Sequence, residues 1–343
     1  MDLMNQGWTY RDRITAQSAG QSVLAYYTHR YQHSSAAQWQ ARIEQGQIVL
    51  NEQPTSPDTV LQANQTLLYH RLPWAEPKVP LGFEVLYEDE AFWAIAKPSG
   101  LPVLPGGKFL QHTLLHQLKQ RYPNQHPVPL HRLGRGTSGV MLIAKSQRAR
   151  GILSAQFRQR SLTKTYRTLI GPAPALPTHF TCTDFIGKVP YPRLGYLYAR
   201  VAPAHPSAKA ARSDGEILQR RADATLLQVS ITTGRPHQIR IHMAAQGYPL
   251  LGDPLYKAGG IPRTLLDDVT DSSADGTADD VTDSSADGTA DGVINSSPDG
   301  VTDAIPSDCG YHLHAHRIRL VHPHNGKTLC IEAPLPECLE VSD

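Results

Sequence analysis

The chain has 343 residues, 40% hydrophobic and 19% charged, with a formal net charge of +2. That length gives room for one large domain and a small one with a substantial core. No apolar run approaches the ~20 residues needed to span a bilayer, and Met1–Gly20 lacks an apolar core of signal-peptide length. A cytoplasmic protein without membrane contact is expected. The four cysteines, Cys182, Cys309, Cys330 and Cys338, show no Cys-x-x-Cys spacing. They read as reduced thiols, neither a zinc site nor a disulfide framework.

The near-neutral charge conceals an uneven distribution. Residues 267–303 hold eleven aspartates and no Lys or Arg, so the rest of the chain carries 33 basic residues against 20 acids. Residues 91–183 contain thirteen Lys and Arg and no Asp or Glu. A one-sign field of this extent attracts polyanions. A basic surface kept for solubility is the duller alternative, and a mixed-sign surface would serve that purpose equally well.

In chain order, Ser22–Tyr31 and Ala36–Gln45 read as two short helices, with Ser34 or Ser35 as N-cap of the second and Gly46 stopping it. Gln47–Asn51 reads as a strand that turns at Glu52–Pro54. Residues 11–71 thus form a separable unit. Leu72–Pro80, with three prolines, reads as a linker to a domain over 81–343. There, Phe92–Ala96, Gly139–Ala144, Leu226–Ile231 and Ile318–Val321 read as strands, among helices near Thr113–Arg121 and Arg148–Arg160. Strands and helices without regular alternation predict an α+β fold.

Residues 264–308 read as a disordered acidic insertion. Asp267–Ala278 is repeated unchanged at Asp279–Ala290 and decays from Asp291, with nothing aromatic to bury. A calcium loop starting at Asp271 fails, because its twelfth position is Thr282 where a bidentate Glu is required. The acidic segment could fold back on the basic body and compete with RNA. Among His312, His314, His316, His322 and His324, alternation puts the first three on one strand face, but no Cys or acid completes a ligand set, so no metal is expected.

The most specific stretch is His131-Arg132-Leu133-Gly134-Arg135-Gly136-Thr137-Ser138-Gly139. It resembles the His-Arg-Leu-Asp-x-x-Thr-Ser-Gly motif of the RluA-type pseudouridine synthases at eight of nine places. Four further segments match that family in order, across most of residues 83–336. They are Glu88-Asp89 with Ala96–Val103, Lys164-Thr165-Tyr166, Gly234–Met243 running on to Gly252–Tyr256, and Leu313-His314-Ala315 with His322-Pro323 and Ala333–Pro336. The helix-turn-helix-strand order with Trp39, Ile43, Gly46, Ile48 and Asn51 resembles the small S-four-type RNA-binding domain that often precedes this catalytic domain; a packing module without RNA contact is the alternative.

The resemblance implies a pseudouridine synthase fold. Its central mixed, largely antiparallel sheet carries a basic cleft, and a small α/β RNA-binding domain precedes it. It implies isomerisation of uridine to pseudouridine in structured rRNA or tRNA, by a monomer needing no cofactor. Arg132 would probe or replace a flipped uridine. Tyr166 would stack on the base and help remove its C5 proton. Arg235 would position the catalytic carboxylate. His131, Arg135, Thr137, Ser138, Arg240 and, in the N-terminal unit, Arg42 complete the expected RNA-binding set. Arg240 is also read, with His242 and Asp253, as a support of the cleft wall. Duller readings stand beside these: phosphate contact for Arg132 and Arg135, a core aromatic for Tyr166, and pairing of Arg235 with Asp253 or Asp214.

Gly134 departs from the family, standing where the nucleophilic aspartate belongs, and no glycine can act as one. The nearest acids in sequence are Glu90 and Asp184. Three explanations stay open. A distant carboxylate (Asp184, Asp214, Asp223 or Asp253) reaches the site. Alternatively, glycine marks a branch with different chemistry, or the protein is a catalytically impaired RNA-binding or RNA-folding relative.

Overall fold

A computed structural model describes residues 4–191, 194–263 and 308–342. The acidic insertion predicted over 264–308 therefore lies outside the described residues, apart from Asp308 itself. Among the described residues no helix is long and apolar enough to cross a membrane.

The N-terminal unit holds strands β1 (Trp8–Arg13), β2 (Ile48–Leu50), β3 (Gln53–Pro54) and β4 (Thr66–Arg71), in the order β1-β4-β2-β3. Helices α1 (Val23–Arg30) and α2 (Ala36–Glu44) pack on the sheet through Val23, Tyr27, Trp39 and Ile43. The serines set the helix starts. Ser22 accepts from Ala25 N, and Ser35 forms a capping box with Gln38. The hairpin turn lies at Asn51-Glu52, not at Glu52–Pro54: both turn residues have positive φ, of 50° and 65°, and Gln53–Pro54 already pairs with β2. The unit also begins earlier than residue 11, because β1 starts at Trp8 and pairs along β4.

The segment 72–80 is fastened to the larger domain. The Trp74 indole donates to Lys108 O at 2.7 Å, and Arg71, stacked on Trp74, donates to Gly107 O at 3.1 Å. The buried Glu76 carboxylate accepts from the backbone amides of Leu110, Gln111 and His112 and from the Asn5 side chain. Those hydrogen bonds hold its carboxyl below the usual range despite the opposing effect of burial.

The larger domain is built on a sheet of ten strands. Its main path comprises β5 (Glu84–Glu88), β6 (Phe92–Lys97), β8 (Ser138–Ala144), β9 (Thr163–Ile170), β10 (His179–Cys182), β14 (Ser213–Arg220), β15 (Thr225–Ile231) and β18 (Leu313–Val321). The spatial order is β10-β14-β15-β9-β18-β8-β6-β5, with β7 (Val128–Pro129) added to β8 and β19 (Thr328–Glu332) to β18. Every pairing in it is antiparallel except β8 with β18. A smaller sheet of β11 (Phe185–Tyr191), β12 (Gly195–Val201) and β13 (Lys209–Ala210) stands beside it, with a hairpin of β16 (Tyr256–Lys257) and β17 (Ile261–Pro262). The α+β class and the mixed, largely antiparallel sheet agree with expectation.

Both faces of the sheet centre are buried, so its strands read as continuous apolar runs. Trp93, Ile95, Met141 and Ile143 enter the core on one face, which α3 (Leu114–Arg121) covers with Leu114 and Leu118. Phe92, Ala94, Val140 and Leu142 enter the other, under Ala149 and Leu153 of α4 (Gln147–Gln159). α5 (Gln238–Ala245) is buried at every position but its last, Ile239 and Met243 facing the first core and Ile241 and Ala244 the small sheet. Full burial removes the amphipathic period, which is why this helix is not apparent in the sequence.

The predicted shared face of His312, His314 and His316 is not formed. His312 precedes β18 and is exposed, and a register shift between Ala315 and Arg317 places a bulge at His316. The His314 ring bonds to Ser138 Oγ and the His316 ring to Ala333 O. Among the described residues no group of three His, Cys, Asp or Glu side chains could hold a metal ion.

Candidate active site

The loop from His131 to Thr137 runs into β8 and is pinned from below by the Lys-Pro-Ser-Gly turn. Lys97 is buried at the end of β6, and its ammonium donates to Pro98 O, Leu101 O and Arg135 O at 2.8–3.1 Å. Ser99 Oγ donates to Gly136 O at 2.7 Å and Gly100 N to Arg135 O at 2.8 Å. Gly139 ends the loop with φ +110°, and a Cβ there would stand 2.2 Å from Ala315 O on the paired strand. Only glycine lets β8 and β18 meet at this point.

A second loop, 233–237, leads into α5. Gln238 is buried and organises it: its amide oxygen accepts from Thr233 Oγ1 and Arg235 N, and its amide nitrogen donates to Arg212 O and Ser213 Oγ. The two loops, β9 and β12 enclose a cavity of about 320 Å³, within the range of small-ligand pockets. Its lining includes His131, Arg132, Gly134, Lys164, Tyr166 and Arg235, and no acid stands among the described lining residues. Three of the motif segments thus converge on one cleft.

Tyr166, 8% exposed, projects from β9 between Val229 and Ala315, and burial pushes its phenol up so that it stays protonated. Lys164 is half-buried two residues earlier, and desolvation lowers its ammonium to about 8. The imidazole of His131 is brought down to about 3 by burial and by the nearby Lys164 charge, so the ring is neutral. Its Nε2 accepts from Leu142 N at 3.1 Å and the ring packs on Phe157, which anchors this half-buried residue in the cleft wall.

Several expected roles are corrected by position. Among the described residues Arg235 holds no carboxylate: its Nε donates to Ala210 O at 3.2 Å and its head faces the cleft. Arg240 is the arginine that does. It is 1% exposed, too buried to touch RNA, and forks onto both Asp253 oxygens at 2.8 Å while Nη1 donates to Asp308 Oδ1. Two carboxylates hold its guanidinium well above its ordinary value against burial, and the Tyr311 ring lies 4.1 Å beneath it. Thr137, 4% exposed, shares a hydrogen bond with the Tyr311 hydroxyl, and Ser138 with His314, so both brace the loop. Arg132 is exposed at the cleft; the Arg135 guanidinium lies over Phe109. Arg42 stacks on Trp39 and donates to Ser34 Oγ in the N-terminal unit.

None of the carboxylates considered from the sequence lines the cleft. Asp184 pairs with Arg200, Asp214 with Arg212 and Thr181, and Asp223 is exposed. Asp253 is locked on Arg240 and also accepts from the amides of Leu255 and Tyr256. The residue the sequence did not single out is Asp308, assigned there to the acidic insertion yet 1% exposed here. Its only sequence signal is that it lies beyond the repeat, just before Gly310-Tyr311. Tyr196 and Tyr198 of β12 were also missed; they line the cleft on one strand face, as the Tyr-x-Tyr spacing allows.

Comparisons with known proteins identify the family. The family described as RNA pseudouridylate synthase matches residues 91–245. An uncharacterized RNA pseudouridine synthase of Synechocystis is 48% identical over 92% of this chain and 94% of its own length. RNA pseudouridine synthase 5 of Arabidopsis thaliana is 38% identical over 98% and 95%. Ribosomal large subunit pseudouridine synthase D of Neisseria meningitidis is 28% identical over 92% and 75%. Among solved structures, human RNA pseudouridylate synthase domain containing 1 shares the fold, with a TM-score of 0.52 and 19% identity over 77% of this chain and 89% of that one. With three of its ordered motif segments gathered on one cleft and these relatives along nearly its full length, the chain belongs to the RluA-type RNA pseudouridine synthases.

Proposed function

We propose that the protein converts uridine to pseudouridine in structured ribosomal or transfer RNA, in the cytoplasm, as a monomer without cofactor. The observation that carries this reading is the acid-free cleft of about 320 Å³, where the 131–134 loop, Lys164, Tyr166 and Arg235 meet. Chemistry on a base inside a helix requires the base to be extruded. The cleft offers the aromatic Tyr166 to the base and the Arg132, Lys164 and Arg235 cations to the phosphates. The reaction is an isomerisation: the bond from C1′ to N1 is replaced by one from C1′ to C5, C5 loses a proton and N1 gains one. In this reading Tyr166 contacts the uracil and assists the C5 proton loss. Residues 11–71 serve as an S-four-type RNA-binding unit in which Arg42 meets the backbone, and residues 72–80 connect it to the 81–343 domain.

The test is to incubate the full chain with unmodified rRNA and tRNA transcripts and map pseudouridine. The expected result is a site-specific product, lost in Tyr166→Phe with the RNA still bound. Binding without product in the wild type would favour the impaired, RNA-folding reading, and turnover retained in Tyr166→Phe would remove its assigned role.

A further inference from the structure

With no side chain of its own, Gly134 faces the Tyr311 hydroxyl and, just beyond it, another residue's carboxylate. A Cβ on Gly134 would stand 3.4 Å from Asp308 Oδ2, 3.0 Å from the Tyr311 hydroxyl and 3.5 Å from Thr137 Oγ1. Asp308 Oδ2 accepts from Arg135 N at 3.2 Å, and Asp308 O accepts from Gly136 N at 3.0 Å. A Cβ on Gly136 would come 2.5 Å from that same carbonyl. The loop that should carry the nucleophile and the segment that carries Asp308 are therefore interlocked, although Arg135 and Asp308 are 173 positions apart.

Charge points the same way. Asp253 alone neutralises Arg240, through two hydrogen bonds and with its remaining capacity taken by two amides. Asp308 is therefore a second carboxylate on a guanidinium that Asp253 already meets, in a cluster that also holds the buried Lys97 ammonium, and both Lys97 and Asp308 bond the backbone of Arg135. The pair of Arg240 with Asp253 is complete without Asp308, whose place beside the 131–137 loop is not explained by that ion pair. Asp308 presents Oδ1 to Arg240 and Oδ2 toward Gly134, and Gly134 lines the cleft.

We propose that Asp308 is the catalytic carboxylate of this enzyme, supplied by the β17–β18 connection to the place that Gly134 leaves open. The inference rests on the isomerase reading above. Asp308 Oδ2 adds to C1′ of the flipped nucleotide as the C1′–N1 bond breaks, and its electron pair leaves on uracil. C5 then re-adds to C1′ and expels the carboxylate, the C5 proton departs, and N1 is protonated, so no oxidant, reductant or co-reactant is consumed. Arg240 orients the carboxylate and Gly134 gives the nucleotide access to it. Near-complete burial keeps water off the nucleophile.

The test uses the full chain with the transcripts described above. Asp308→Asn should lower turnover by about 10⁴-fold or more, as loss of a nucleophile does, with RNA affinity and melting temperature close to wild type. Gly134→Asp alone should also lower turnover, because two carboxylates then compete for one arginine. The exchange Gly134→Asp with Asp308→Gly should recover turnover by about 100-fold or more over Asp308→Asn, which a merely structural Asp308 would not produce. Wild-type activity with Asp308→Asn within tenfold of it overturns the inference and leaves the isomerase reading intact. An inactive wild type with an active exchange variant shows that Asp308 cannot serve. If both are inactive, the isomerase reading fails and takes the inference with it.

Discussion

Replacing Lys164 with methionine removes a cation that the fold holds at a disadvantage. Desolvation lowers its ammonium from 10.5 to about 8, and among the described residues its hydrogen bond, to Thr233 O, is long at 3.4 Å. At 1.36 kcal/mol per pH unit that displacement bounds the penalty at about 3 kcal/mol. Because the group is half-buried, solvent screening brings the expected value down to about 1–2 kcal/mol. Its folded value lies below the unfolded one, so between pH 8 and 10.5 the unfolded chain binds more protons and stability rises with pH; below pH 8 the penalty is present in full. Lys164→Met should therefore be about 1–2 kcal/mol more stable than wild type at pH 7, and the difference should close between pH 8 and 10.5. Urea unfolding of both proteins at pH 7, 8.5 and 10 measures this, and the comparison cancels other groups titrating in that range. RNA affinity should move oppositely, with the wild-type advantage shrinking above pH 8 as the cleft loses a charge. A less stable Lys164→Met at pH 7, or a stability difference that does not change with pH, would refute the reasoning.

Gly139→Ala should destabilise the protein by about 3 kcal/mol, since the added methyl combines a left-handed φ with a 2.2 Å approach to Ala315 O. A urea midpoint unchanged by Gly139→Ala would count against the close pairing of β8 and β18. Arg132→Ala should weaken RNA binding uniformly across sequences and reduce the slope of log affinity against log salt by about 1. An unchanged slope would remove the phosphate contact assigned to this residue.

The elements that could be read from the sequence are those whose signals are local. Ser22, Ser35 and Thr113 cap helices within a residue of the predicted starts, because an N-cap is satisfied by an amide three positions away. β6, β8 and β15 show as short apolar runs because each is buried on both faces. α5 gave no such signal, being buried all round. β18 showed as an apolar run only over Ile318–Val321; its earlier half was legible by alternation alone, because it carries polar histidines whose partners lie on other elements.

By itself the sequence determined the family and the sign of the cleft: the ordered motifs and the 93 residues free of acids are written in the chain, and a polyanion responds to that charge wherever the fold places it. It also posed the problem of Gly134. Only the tertiary structure decided which arginine meets a carboxylate and which acid stands where the glycine leaves space. Arg235 and Arg240 are five residues apart on one motif, yet one faces the cleft and the other is sealed beneath it by the turn of α5. Asp308 becomes a neighbour of Gly134 because β8 and β18 pair in parallel at the sheet centre, a contact between distant segments that no local pattern encodes.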